Sequence, residues 1–270
     1  MHLILTGATG LVGTATLSAM LSNPSITKIT LLTRRPVPLA ENASDPRVNT
    51  ILHSDFTNYP PELLSQIRDA TGCVWALGVS QNQVGREEYV KITRDFPLAF
   101  AKAFQSQSAT THSDMDTDEL KRKEKGFNFV HASGYGATFS PGRFTPLFGR
   151  VKGETELALA EMRRATPQFK ASTVRPCAID WTRHDAIKSF IPSQGMLGGK
   201  LGDMFFKGVS AVGKTYWSPT EQLGRFLVDM AMVKWEDDSR IQGKGVEVLE
   251  GGFKVVENWG FMRLAGLDGK

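Results

Sequence analysis

Leu3-Ile4-Leu5-Thr6-Gly7-Ala8-Thr9-Gly10-Leu11-Val12-Gly13 is the stretch that decides the reading of this chain. A short apolar run leads directly into glycines spaced GxxGxxG, and a helical pattern begins at Leu11. Strand, glycine turn and helix in that order make a nucleotide-binding βα unit. Gly7 permits a tight turn, Gly10 lets backbone approach a pyrophosphate, and Gly13 lets the helix pack close to the strand. Peptide N–H groups at a helix start attract phosphate, so Gly7, Thr9, Gly10, Leu11, Val12 and Gly13 form the expected pyrophosphate cradle. Three glycines alone are a weak signal. Their place between a strand and a helix gives them weight.

Outward from the turn, Leu11 to Ser22 reads as a helix and Ile29 to Thr33 as the second strand. Arg34-Arg35-Pro36 closes that strand, about twenty residues beyond the turn, where a dinucleotide fold faces the adenosine ribose. A basic residue there suits the 2′-phosphate of NADP and an acidic one the 2′-hydroxyl of NAD. Arg34 is the first choice, because a guanidinium pairs with phosphate through two hydrogen bonds. A solvated Arg pair is the competing reading. Val48 to Phe56 reads as the third strand. Asp55 is placed to accept from an adenine amino group with Phe56 beside the ring, or else Asp55 caps a turn. Leu63 to Ala70 is a short helix. Cys73 to Gly78 is a fourth strand, apolar throughout as a central parallel strand should be. Its end, Ala76-Leu77-Gly78, lets backbone pass close to a cofactor.

Glu87 to Phe104 carries a helical stripe of Phe96, Phe100, Ala103 and Phe104, in which Pro97 must start or kink a segment. Gln105 to Lys125 is polar and reads as an exposed insertion, with Lys121-Arg122-Lys123-Glu124-Lys125 as a solvated loop or a basic docking patch. Phe127 to Ala132 is a fifth strand ending at Ser133-Gly134. A Gly/Pro loop follows, then a helix from Leu147 to Arg164. Ala171 to Val174 is a sixth strand, followed by Arg175-Pro176. The alternation gives an α/β fold with a doubly wound parallel sheet, and ligands sit beyond its strand ends where Gly78, Ser133 and Pro176 would meet. Residues 181 to 216 mix glycines with large apolar side chains. They read as a small substrate-covering region, with a dimer surface or plain core as the alternatives. Ser218-Pro219-Thr220-Glu221 reads as a helix start with Ser218 as its cap. Gly245 to Leu249 is expected to be the final strand, at the sheet edge.

Composition bounds the function classes. The chain has 270 residues, 41% hydrophobic, with a formal net charge of +4, which suits one α/β domain spanning 1–270. No basic tract interleaved with aromatics points to nucleic acid. No apolar run approaches the length of a membrane span. The two cysteines, Cys73 and Cys177, form no pattern, and the five histidines have no metal spacing. A cytoplasmic protein is expected, without a signal peptide before the glycine turn, as monomer or homodimer.

Thr6 to Gly13, the Arg34 turn, Ala76-Leu77-Gly78, Ser133, the helix Phe148-Gly149-Arg150-Val151-Lys152-Gly153-Glu154-Thr155-Glu156, Val174-Arg175-Pro176 and the late Val246-Glu247-Val248-Leu249-Glu250 together resemble the atypical short-chain dehydrogenase/reductases. The Tat-interacting-protein type and its fungal homologues are the most similar. The resemblance covers nearly the whole chain, with residues 106 to 125 longer than the family pattern. It implies a Rossmann fold, NADP as cofactor, and hydride transfer to or from a carbon bearing oxygen in a small-molecule substrate. It also implies a catalytic serine and a Tyr-x-x-x-Lys pair on one helix. The tyrosine gives a proton to the developing alkoxide. The lysine one turn on lowers the tyrosine pKa and holds the nicotinamide ribose. Ser133 and Lys152 match, but the tyrosine position is Phe148. Three repairs stand open. Tyr135 supplies the hydroxyl, a water on Ser133 and Lys152 relays the proton, or the redox step is gone and the fold serves isomerisation, cyclisation or nucleotide sensing. His131 alternates with Ser133 along its strand, yet reads more readily as a satisfied core histidine. His184 and Asp185 reach the pocket only if the loop after strand six turns that way.

Overall fold

A computed structural model describes residues 1–109, 126–192, 216–232 and 241–268. Most of the polar insertion, including Lys121 to Lys125, and most of the expected cover, 193–215, lie outside the described residues.

The chain alternates strand and helix through its first half. β1 (His2–Thr6), α1 (Leu11–Leu21), β2 (Lys28–Thr33), α2 (Pro38–Ala43), β3 (Val48–Leu52), α3 (Pro61–Ile67) and β4 (Gly72–Trp75) come first. Next are α4 (Arg86–Val90), a π-helical turn over Lys91–Asp95, α5 (Phe96–Ala109), β5 (Phe127–Ala132), α6 (Leu147–Ala165) and β6 (Phe169–Arg175). The remainder is β7 (Ala178–Asp180), β8 (Trp217–Pro219), α7 (Thr220–Ala231), β9 (Val246–Val248), β10 (Lys254–Glu257) and α8 (Asn258–Leu264). The main sheet runs β3-β2-β1-β4-β5-β6-β10-β9, parallel except that β9 is antiparallel to β10. β7 and β8 form a separate parallel pair. The order reverses between β1 and β4, which opens a crevice beyond their carboxyl ends.

Strands covered on both faces must be apolar along their length. Leu3 and Leu5 pack with Val74, Val130, Leu223 and Leu227 on the α1/α7 side, and Ile4 with Trp75, Phe100, Phe129 and Leu159 on the other. α1 and α7 approach closely because Gly224 carries no side chain: a Cβ there would lie 2.4 Å from the Ala15 carbonyl oxygen. On the second face a ladder of rings joins Phe104, Phe127 and Phe169, with Phe104 and Phe127 stacked at 3.9 Å.

The structure corrects several boundaries. The helix expected over Glu87 to Phe104 runs without a gap from Arg86 to Ala109, with a π-helical turn over Lys91–Asp95 and α5 beginning at Phe96 beside Pro97. Pro97 cannot return an N–H to the Thr93 carbonyl four residues before it; Thr155 Oγ1 of α6 lies 3.3 Å from that oxygen instead. Ser218 is not a helix cap. It belongs to β8, donates to Asn258 Oδ1 and accepts from the Cys177 N–H, and α7 begins at Thr220 behind Pro219. β9 lies at the edge as expected, but it is not the last strand. β10 follows and fills the place between β6 and β9. β4 ends at Trp75, so Ala76-Leu77-Gly78 is loop, and β3 ends at Leu52, before Asp55.

Candidate active site at the strand carboxyl ends

The glycine turn forms as read. Gly7 has φ +71°, a left-handed conformation, and a Cβ there would meet the Ala76 carbonyl oxygen at 2.4 Å. The turn therefore lies against the loop after β4. A Cβ on Gly13 would meet the Gly7 carbonyl oxygen at 2.0 Å, so α1 enters directly under the turn. Gly10 has only one tight neighbour, again Gly7 O, at 3.3 Å, consistent with a face left open for a ligand. Gly10 caps α1, and the N–H groups of Leu11, Val12 and Gly13 have no carbonyl one turn earlier to accept them. Thr14 Oγ1 bonds the Ala8 and Gly10 carbonyl oxygens and braces the turn from behind.

At the end of β2 the two arginines differ. Arg34 is exposed. Arg35, also exposed, turns back so that its guanidinium donates to Thr9 Oγ1 at 3.3 Å, and the Thr33 hydroxyl donates to its carbonyl. The basic group that bonds the glycine turn is thus Arg35, where the sequence reading chose Arg34. Asp55 is exposed, and its Oδ1 accepts from the Thr57 N–H and hydroxyl, the turn-capping alternative. Phe56 is a correction. Its ring is buried against Trp75 and Phe96 and is not free to lie beside a base. Gly78 is open, with nothing near its missing side chain.

Across the crevice, Ser133 follows β5 and donates its N–H to the Val174 carbonyl, which continues the sheet ladder to this point. Ser133 is buried, yet its Oγ has no hydrogen-bond partner among the described residues. Buried hydroxyls are nearly always paired, so this one keeps its hydrogen-bonding capacity for a group outside the described residues. Lys152 rises from the first turns of α6, and its Nζ donates to the Ser133 carbonyl at 2.7 Å. Burial lowers the Lys152 pKa to about 8, against the opposing pull of Glu156 one turn further on. Pro176 turns its carbonyl to the Tyr135 N–H at 2.8 Å, which ties the loop after β5 to the end of β6.

Phe148 sits one turn before Lys152. Its ring lies 3.2 Å from the point where Gly136, at φ +85°, would carry a Cβ, and its N–H is held by Gln81 Oε1 at 3.1 Å. Tyr135 is half exposed and packs edge-to-face on Tyr216 at 5.4 Å. The Tyr216 hydroxyl raises the Tyr135 pKa, so the phenol keeps its proton at neutral pH. Tyr216 escaped the sequence reading, because a lone tyrosine in a glycine-rich run has no spacing to flag it.

A buried ion network underlies the site. Arg175 pairs with Glu156 on α6 and with Glu257 at the end of β10, and its guanidinium lies 4.8 Å from the Phe139 ring. Glu156 falls four residues after Lys152, on the same helix face, which is the one sequence signal that it belongs here. His184 and Asp185 do not reach the crevice. His184 is buried with Nδ1 3.1 Å from Thr220 Oγ1, and both it and Asp185 line a cavity of about 280 Å³ with Ser18 of α1 and Ser22, which caps its end. α1 runs away from the strand carboxyl ends, so this cavity, lined from Ala15 to Ser22, lies away from the glycine turn. Among the described residues no group of His, Cys, Asp and Glu side chains is arranged to hold a metal, and no helix is long and apolar enough to cross a membrane.

No protein-family model matches the chain. Among curated proteins it is 43% identical over 142 residues to the botcinic acid biosynthesis cluster B protein 16 of Botryotinia fuckeliana (strain B05.10), covering 53% of this chain and 88% of that protein. It is 34% identical over 209 residues to the leucinostatins biosynthesis cluster protein T of Purpureocillium lilacinum, covering 71% and 70%. The chain belongs to the family of these fungal proteins. Its fold is that of the short-chain dehydrogenase/reductases. A short-chain dehydrogenase/reductase from Serratia marcescens superposes with a TM-score of 0.59 at 13% identity, covering 96% of this chain and 97% of that one. A short chain dehydrogenase family protein from Francisella tularensis gives 0.58 at 13%, covering 96% and 98%.

Proposed function

We propose that this protein is an NADP(H)-dependent oxidoreductase acting on a small, largely apolar carbonyl or alcohol. The observation that carries the reading is a pairing across one crevice. A glycine cradle with free helix N–H groups lies on one side, and the buried, unpartnered Ser133 hydroxyl beside Lys152 lies on the other. Both halves fit a nicotinamide dinucleotide. When bound, the cofactor supplies or accepts a hydride. The N–H groups of Leu11, Val12 and Gly13 hold the pyrophosphate, with Gly7, Gly10 and Thr9 shaping the turn. Arg34 and Arg35 hold the 2′-phosphate, Asp55 and the Ala76-Leu77-Gly78 backbone border the adenosine, and Lys152 reaches the nicotinamide ribose beside Pro176. Ser133 Oγ donates to the substrate oxygen. Tyr135, which keeps its proton and stands at the open side of the loop after β5, supplies the acid that Phe148 lacks. The single domain 1–270 works in the cytoplasm as monomer or homodimer. The two relatives named for biosynthesis clusters agree with a small-molecule substrate.

Phe148 favours a second reading. A site without the helix phenol, with a lysine and a serine retained, suits a non-redox isomerase or cyclase that binds the nucleotide as a fixed part of its pocket. Substrate turnover followed by product analysis and nicotinamide absorbance together separates the two. Product formed with stoichiometric loss of NADPH supports the oxidoreductase, and product formed with no absorbance change overturns it.

A further inference from the structure

Away from the crevice, the fold leaves a second place for a small molecule. The later turns of α1, the turn after β7 and the first turns of α7 enclose the cavity of about 280 Å³ that His184 lines. That is just under the usual range of about 300–1,000 Å³ for small-molecule pockets, so it suits a short chain. α1 gives it an apolar floor, Ala15 and Ala19, and two hydroxyls, Ser18 and Ser22. His184 is 7% exposed and sits between the two helices, with Nδ1 3.1 Å from Thr220 Oγ1 and Nε2 3.5 Å from Ser18 Oγ.

The charges around the cavity nearly cancel. On α7 Glu221 pairs with Arg225 at 2.6 Å, and on the turn after β7 Asp185 pairs with Lys188. Burial lowers the His184 pKa, so its ring is neutral at pH 7 and offers hydrogen bonds, not charge. Arg183 is different. It lines the cavity, is exposed, and has no hydrogen bond, ion pair or ring contact among the described residues. One cation is left over beside two hydroxyls and an apolar floor.

A guanidinium matches a carboxylate through two parallel hydrogen bonds. A second negative charge on the same molecule would face Glu221 and Asp185. We infer that this cavity is a binding site for a short-chain monocarboxylate, with its carboxylate on Arg183 and its alkyl chain against Ala15 and Ala19. The site is separate from the glycine turn, which lies at the other end of α1, and the inference does not depend on the nucleotide reading.

The test is titration of the ¹⁵N-labelled protein, free of nucleotide, with butyrate, followed by two-dimensional NMR. Butyrate is expected to move the amide signals of Ser18, Ala19, His184 and Ala186 and to saturate in the millimolar range. Butyramide, the same shape without the charge, binds roughly tenfold more weakly or worse, and so does butyrate to Arg183→Gln, because a charge-assisted pair is lost. Arg183 is exposed, so this variant keeps its fold. Ala19→Leu fills the floor and removes the response. Sodium chloride at matched ionic strength gives no saturable shift. Shifts that chloride reproduces, equal binding of butyramide, or an Arg183→Gln protein that binds as wild type would each overturn the inference. So would butyrate that moves only the Leu11 to Gly13 amides, since it would then occupy the glycine turn. A protein that binds no NADPH would overturn the nucleotide reading and leave these shifts as they are.

Discussion

In the proposed reaction Phe148 is the residue on which the chemistry turns. It stands one turn before Lys152, with its ring against Gly136, and has no proton to give. If the missing phenol limits the reaction, Phe148→Tyr raises carbonyl reduction by about 10²–10⁴-fold, the usual worth of a general acid. Steady-state loss of NADPH absorbance measures it, and a variant no faster than wild type would show that the hydroxyl is not limiting. The arginines at the end of β2 give a second residue-scale prediction. Arg35, bonded to Thr9, stands nearest the turn, and Arg34 is exposed beside it. A hydrogen bond to a charged group contributes about 1.5–3 kcal/mol, so Arg35→Asp should weaken NADPH roughly ten- to hundredfold while sparing NADH. Arg34→Asp should do less. The comparison is two calorimetric titrations per variant, and equal losses for both nucleotides would sink the 2′-phosphate assignment.

At the scale of elements, the glycine turn and the helix beneath it act as one piece. A methyl on Gly13 would collide with the Gly7 carbonyl oxygen, and neither backbone segment can yield without opening the turn. Gly13→Ala should cost about 1–3 kcal/mol of stability and most nucleotide affinity, read by urea denaturation and titration together. Glu156 ties α6 to β6 through Arg175. Removing one partner of a buried pair costs about 3–5 kcal/mol, so Glu156→Ala should lower the unfolding midpoint sharply. These elements also show what could be read without coordinates. The parallel core strands were legible because burial on both faces leaves near-continuous apolar runs, and the turn was legible because only glycine fits its contacts. β10 was not: Lys254-Val255-Val256-Glu257 is four residues long with charged ends, and its place between β6 and β9 is a long-range fact. β8 was hidden because Ser218 and Pro219 also spell a helix start. Ser133 and Lys152 were singled out through resemblance, and the structure brings them together. The contact of Arg35 with Thr9, the burial of Phe56 and the unpartnered nitrogen of His131 depend on side-chain direction, which sequence spacing does not carry.

For the whole molecule, His2 and His131 are the buried histidines with the largest shifts and lead the response to acid. Burial lowers the His2 pKa to about 4 and that of His131 to about 3, both below the ordinary 6.5. Between those values and 6.5 the unfolded chain takes up protons that the fold refuses. Stability is therefore full above pH 6.5 and falls as pH drops toward 4, by about 1.4 kcal/mol per unit for each histidine. Denaturant midpoints at pH 7 and pH 5 test this, and an equal or higher midpoint at pH 5 would contradict it. An NADP site in the crevice between β1 and β4, facing Ser133 and Lys152 as proposed, is tested by calorimetric titration of the purified protein with NADPH and then NADH. Saturable one-to-one binding of NADPH with much weaker binding of NADH is the expected result. Absence of binding by either would contradict it.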